Sequence, residues 1–78
     1  MIKLIMAPLN VEYIIDSINN SIGDEQMNHL ANMGFVRDAI IKVVAHNEGN
    51  LIVSVKDSRV AIGSDIAKKI FVEERRNG

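Results

Sequence analysis

The stretch LANMGF, Leu30 to Phe35, constrains the fold more than any other part of the sequence. Before it, Met27, Leu30 and Met33 recur at a spacing of three residues, which gathers side chains on one face of a helix. After it, the chain becomes rich in Ile and Val, which favour strands. Gly34 therefore predicts a helix end in the left-handed conformation, with Phe35 contacting Leu30 in a Schellman motif.

Length and composition limit the kind of core and the number of domains that this chain can form. The chain has 78 residues, of which 47% are hydrophobic and only 4% aromatic, so aliphatic side chains must supply the core. This length predicts a single domain over residues 1–78, with its core at about 9–73 and a polar tail at 74–78. The sequence contains no cysteine, which excludes disulfides and thiolate metal ligands and agrees with a reducing cytoplasm.

Five segments of the sequence have the β-branched composition and the alternating pattern of strands. The first surrounds residues 13–18, and the others are AIIKVVAH, LIVSVK, RVAIG and KIFVEE, separated by short turns. In AIIKVVAH, the alternation predicts that Ile41, Val43 and Ala45 point toward the core.

Two helical segments interrupt these strands. The longer one starts near Asp24, and either Asp24 or Ser21 is expected to cap it. The shorter one, SDIAKK, predicts a single turn capped by Ser64 before the last strand. The order of elements predicts a mainly β fold: a small, partly open barrel of about five strands with one inserted α-helix and a short helical turn before the last strand. An open sheet with the helix packed on one face is the alternative architecture.

Methionines and the apolar N-terminus are the best candidates for contact with another protein. Methionine adapts to irregular surfaces and is common where binding must tolerate variation. A barrel of 78 residues cannot easily bury the apolar N-terminus in addition to its strands, so part of it should contact a partner or, in a homo-oligomer, another copy of the chain. The predicted partner-binding residues are Leu4, Met6, Met27, Leu30 and Met33.

The residues give little support to metal binding, catalysis or membrane insertion. Glu25 and His29 lie one helical turn apart, but a metal site would need a third ligand such as Asp24 or His46, so a solvated helix face is the favoured interpretation. The sequence has neither a G-x-S-x-G elbow nor a phosphate-binding glycine loop, and we expect no catalysis and no cofactor. The apolar run at residues 4–9 is far shorter than the roughly 18 residues that cross a bilayer.

Nucleic-acid binding is the main alternative function, because small barrels often bind oligonucleotides. Lys68, Lys69, Arg75 and Arg76 lie near the end of the chain, and Phe71 is their only aromatic neighbour. Proteins that bind single strands usually combine a basic groove with exposed aromatic side chains, whereas the formal net charge of this chain is -1. A solvated basic tail is therefore the favoured interpretation.

The segments MNHLANMGF, EGNLIVSV, RVAI and IAKKIFVEE, taken in order, resemble the FeoA family. The likeness extends over about residues 9–73, with Val36-Arg37-Asp38 standing where the family often has a Pro-Gly turn. The positions that match the pattern of the family are Leu30, Met33, Gly34, Phe35, Ala61, Ile62, Ala67, Ile70 and Val72.

The resemblance implies a small SH3-like barrel that serves as a cytoplasmic accessory protein of the ferrous iron transporter FeoB. Such a protein would contact the cytoplasmic GTPase part of the transporter and associate with the membrane only through that partner. The resemblance implies protein-protein contact, with no catalysis and no bound nucleic acid. A related alternative is a stand-alone module similar to the SH3-like C-terminal domain of iron-dependent repressors.

Overall fold

Six antiparallel strands form one sheet in the computed structural model, which describes residues 1–75. The strands are β1 Ile2–Lys3, β2 Glu12–Ile18, β3 Ile40–Asn47, β4 Asn50–Val55, β5 Ser58–Gly63 and β6 Ile70–Glu74. Across the sheet they are arranged in the order β1-β6-β2-β3-β4-β5. The five predicted strands are therefore confirmed, and the short β1 is an additional strand.

The helix that precedes Gly34 ends as the sequence predicts. This helix, α1, spans Asp24–Asn32. Gly34 has a φ of +101°, and its N–H donates to the Ala31 carbonyl at 3.0 Å. The Phe35 N–H donates to the Leu30 carbonyl, also at 3.0 Å. These two bonds are those of a Schellman motif, and the buried side chains of Leu30 and Phe35 both belong to the core.

The sheet does not close into a complete barrel. Its two outer strands, β1 and β5, are not paired with each other. A single helical turn, α2, spans Ser64–Ala67 between β5 and β6 and contacts β4, β5 and a 3-10 turn at Leu4–Met6. The predicted mainly β fold with a partly open barrel, an inserted helix and a helical turn before the last strand is confirmed.

One apolar cluster forms the core. It joins the inward faces of the strands to one side chain from α1, one from α2, Phe35 from the connection after α1, and two from the N-terminal residues. Leu4 and Ala7 are buried in it, so the core begins before the expected boundary at about residue 9. The predicted polar tail is only partly described, because Glu74 belongs to β6 and 76–78 lie outside the described residues. The buried side chains are Leu4, Ala7, Tyr13, Ile15, Leu30, Phe35, Ile41, Val43, Leu51, Val53, Val55, Ile62, Ala67, Ile70 and Val72.

A β-bulge in β3 changes the predicted alternation of its side chains. Val43 pairs with Val53 and Ala45 with Ile52, so Val44 is the extra residue. Because Ile52 alternates with the buried Val53, Ala45 lies on the opposite face from Val43. The prediction that Ala45 points inward with Val43 is therefore wrong.

The predicted helix caps are also corrected. Gly23 occupies the N-cap of α1 and Asp24 is its first residue, while Ser21 belongs to a preceding 3-10 turn, Asn20–Ile22. Asn19 caps that turn by accepting a 2.9 Å hydrogen bond from the Ser21 N–H. Ser64 is likewise the first residue of α2 rather than its cap. Asp24 and Ser64 are therefore helical residues because each helix begins one residue earlier than its predicted cap implies, while Ser21 lies in a separate turn before α1.

Candidate protein-interaction surface

The N-terminal residues are held on the barrel by two small anchors. Leu4 is fully buried and Ala7 is 4% exposed, and the Ala7 N–H donates to the Leu4 carbonyl at 3.0 Å. This bond closes the 3-10 turn at Leu4–Met6, whose neighbours are α2 and β6. The turn places the side chain of Met6 on the outside, where it is 69% exposed.

Residues 1–11, which we call the N-terminal segment, carry most of the exposed large apolar side chains of the described chain. Met1 is 72% exposed, Met6 69%, Leu9 47% and Val11 38%. Ile5 is half-buried beside them in sequence and packs against the core. Contiguous exposed apolar surface is typical of protein contact sites, and two of these four side chains are flexible methionines.

The predicted partner-binding residues do not form one surface. Leu30 is the only buried residue of α1, at 1% exposure, and Leu4 is at 0%, so both belong to the core. Met27 on α1 and Met33, the C-cap residue that follows it, are half-buried, and Met33 packs against the core. Helix α1 mainly contacts the 3-10 turn at residues 20–22. The turn that contains Leu4 and Met6 instead contacts α2 and β6. Of the five residues, Met6, Met27 and Met33 keep part of their side chains accessible.

A second apolar site lies outside the predicted partner-binding residues. Val36 is 48% exposed and Ile40 is 40% exposed, and both line a surface groove of about 690 Å³. The groove has a charged rim that includes Glu12, Lys42 and Lys56. One signal was present in the sequence: in Ile40-Ile41, two neighbours on one strand cannot both face the core, so one isoleucine had to face outward.

The structure gives no metal site to the described residues. Asp24, Glu25 and His29 line a shallow depression on α1, and all three are exposed. Among residues 1–75, no three His, Asp or Glu side chains are grouped so that they could hold an ion. None of the helices in residues 1–75 has the length and apolar character needed to cross a membrane.

Within residues 1–75, none of the three aromatic side chains is exposed, so Lys68, Lys69 and Arg75 have no exposed stacking surface, and Arg76 lies outside the described residues. Arg75 donates to the Glu12 carboxylate at 2.7 Å, and both side chains are partly exposed. Val72 is buried and the neighbouring Phe71 is half-buried, so one of the two is in the core as the alternation predicts. An ion pair this exposed contributes at most about 1 kcal/mol, but it does neutralise Arg75 locally.

Comparisons with known proteins identify the family of this domain. The model of the FeoA domain matches residues 2–74. A protein of Methanocaldococcus jannaschii described as an Fe(2+) transport protein A is 35% identical over 78 residues, which cover 100% of this chain and 93% of that protein.

Solved structures show the same fold. The zinc complex of FeoA from Stenotrophomonas maltophilia, described as a prokaryotic SH3 domain protein, has a TM-score of 0.80 and 26% identity, and the match covers 94% of this chain and 91% of that one. A manganese-dependent transcriptional repressor has a TM-score of 0.81 at 22% identity, with 94% of this chain matching 41% of the repressor, and shows the fold alone. With the family model matching nearly its whole length, this chain belongs to the FeoA domain family.

Proposed function

We propose that this protein is a non-catalytic accessory protein of ferrous iron transport that acts by contact with a FeoB-type transporter. The support is its membership of the FeoA domain family and its 35% identity to a protein described as an Fe(2+) transport protein A. The contact lies on the cytoplasmic side, with the GTPase part of the transporter, so the protein reaches the membrane only through its partner. In this proposal, ferrous iron is the cargo of the transporter.

The observation that carries the proposed contact is the N-terminal segment. Its exposed Met6 lies two residues from the fully buried Leu4, so an apolar contact side chain is presented from a fixed base. A fixed base reduces the conformational entropy that is lost when a partner binds. Met27 on α1 and Met33 at its C-cap form a second proposed contact for a partner large enough to reach both surfaces.

The proposed mechanism is a population shift in the transporter. A protein that binds one conformation of a partner more tightly than another changes the balance between them without catalysing a reaction. If this domain favours one nucleotide state of the transporter, it binds that state more tightly than the other. The ratio of the two affinities equals the factor by which the domain changes the equilibrium between the states.

Pull-down of the cytoplasmic part of the transporter tests the contact. Met6→Ser should weaken binding because it removes an exposed apolar side chain, while the circular dichroism spectrum stays unchanged. The matched control is Val36→Ser, an exposed apolar residue outside the N-terminal segment. If Val36→Ser weakens binding and Met6→Ser does not, the contact is the groove at Val36 and Ile40, and the proposed surface is wrong.

A salt titration separates this function from oligonucleotide binding. Binding of single-stranded nucleic acid should fall steeply with salt, because each neutralised phosphate releases counterions. Contact through methionines should change little over the same range, since it buries apolar surface. Steep salt dependence together with tight binding of an oligonucleotide would favour the alternative function.

A further inference from the structure

The two edges of the sheet are built differently. β1 contains only Ile2–Lys3, so it offers almost no edge to another strand. β5 is six residues long, contains no proline, and pairs with β4 without a register shift. Proteins usually protect a long edge with charged side chains, prolines, bulges or shortening. Of these devices β5 has only the single charge of Arg59, so its edge can act as a template for another strand.

The turn before β5 determines which of its backbone groups face outward. Lys56 and Asp57 have φ values of +50° and +61°, as in a two-residue type I′ hairpin turn. Such a turn is closed by a hydrogen-bonded pair, here Val55 and Ser58. Because bonded and non-bonded pairs alternate in an antiparallel ladder, Val60 is also bonded to β4.

The same alternation makes Arg59 and Ala61 non-bonded residues of the β4–β5 ladder, so their N–H and C=O groups point away from β4. A 2.8 Å hydrogen bond from the Ser64 N–H to the Gly49 carbonyl agrees with this alternation at the far end of the hairpin. Within residues 1–75, no backbone bond joins these outward groups to another element, and both residues are exposed.

We propose that β5 pairs with β5 of a second copy of this chain in an antiparallel arrangement centred on Val60. In this register, Arg59 of each copy lies opposite Ala61 of the other, and the two pairs exchange four backbone hydrogen bonds. The arrangement has a two-fold axis, so both copies use the same surface and the assembly stops at a dimer. The two six-stranded sheets join into one continuous sheet.

A second copy fits this edge because β5 is complementary to itself in that register. Arg59 faces the small Ala61 of the second copy, which leaves room for the arginine stem and avoids a like charge directly opposite. On the other face, the half-buried Val60 meets its own counterpart, a favourable β-branched pair. The buried area is small, so the dimer dissociates on dilution.

Sedimentation of the full chain measures the dimer directly. Between about 10 µM and about 1 mM, the average mass should rise from 8.6 kDa toward twice that value. Ala61→Pro removes an outward N–H and no hydrogen bond to β4, and it should keep the chain monomeric over this range. The matched control, Ala61→Ser, keeps the N–H and should dimerise like the parent.

Amide hydrogen exchange on the unmodified chain tests the register without relying on a variant. Dimerisation should slow exchange at Arg59 and Ala61 as concentration rises, whereas the Val60 amide, bonded to β4, should be protected at every concentration. A chain that remains monomeric at about 1 mM, or a dimer that persists in a folded Ala61→Pro variant, would overturn the proposal. So would rapid, concentration-independent exchange at Arg59 and Ala61.

Discussion

Positive φ angles mark the residues that decide how this chain turns. Gly34 takes a φ of +101°, and a Cβ atom there would lie 3.1 Å from the Cβ of Lys56. The end of α1 needs glycine at position 34 for its positive φ, and the β4–β5 turn can approach Gly34 closely because glycine has no side chain. Asp38 also adopts the left-handed conformation, with a φ of +71°, although it is not a glycine.

Gly34→Ala should lower the free energy of unfolding by about 1–2 kcal/mol, because alanine must hold a positive φ and its Cβ crowds Lys56. Gly49→Ala is the matched control, since Gly49 has a φ of +84° but nothing within 4 Å of its added Cβ. It should therefore lose less stability in urea unfolding. Equal losses would contradict the role of the Lys56 contact, and full stability of Gly34→Ala would contradict the turn itself.

Asp38 lies in a turn closed by a 3.1 Å hydrogen bond from the Ala39 N–H to the Val36 carbonyl. The FeoA family often has a Pro-Gly turn near this position, and glycine adopts a positive φ at no steric cost. Asp38→Gly should be at least as stable as the parent, while Asp38→Val should lose about 1–2 kcal/mol. Thermal unfolding gives the order, and a fully stable valine variant would exclude the left-handed conformation at Asp38.

The pattern of neighbouring residues predicts the helix α1 and the longer strands. It does not predict features that depend on residues far away in the sequence. The Schellman end at Gly34 follows from a few neighbouring residues, so the sequence was sufficient to predict it. β1 was missed because two residues carry no periodicity, and Ile2 pairs with Val72, which is far away in the sequence. The bulge at Val44 was missed because it depends on the register of β3 against β4.

The candidate site was predictable only in part for the same reason. Methionine content and the apolar N-terminus pointed to residues 1–11 and to α1. Which of these side chains faces water depends on the 3-10 turn at Leu4–Met6, and no local pattern indicated that turn. Leu4 and Leu30 were therefore assigned to a surface although they belong to the core.

Leu4→Ala should cost about 2–5 kcal/mol of stability, because it leaves a cavity in the core beneath the N-terminal segment. Met6→Ala, two residues away and 69% exposed, should change stability by no more than about 0.5 kcal/mol. Chemical denaturation of the two variants makes the comparison. If Leu4→Ala proves as mild as Met6→Ala, the N-terminal segment is not anchored on the barrel as described.

The two contact surfaces proposed for this molecule lie on different elements. The N-terminal segment would bind through the exposed side chain of Met6, whereas the pairing edge would use the outward backbone groups of β5, although α2 contacts both elements. Variants at one surface should therefore leave the other intact: Met6→Ser should still dimerise, and Ala61→Pro should still bind the transporter. Sedimentation and pull-down of both variants test this independence. Loss of both activities in either variant would show that the two contacts share a surface or depend on each other.

An NMR titration of the labelled chain with the cytoplasmic part of a FeoB-type transporter shows directly which residues make the contact. Amide signals of residues 1–11 and of Met27 and Met33 should shift or broaden, while those of Val36 and Ile40 should stay in place. Changes confined to the groove at Val36 and Ile40, or no change at saturating transporter, would contradict the proposed contact.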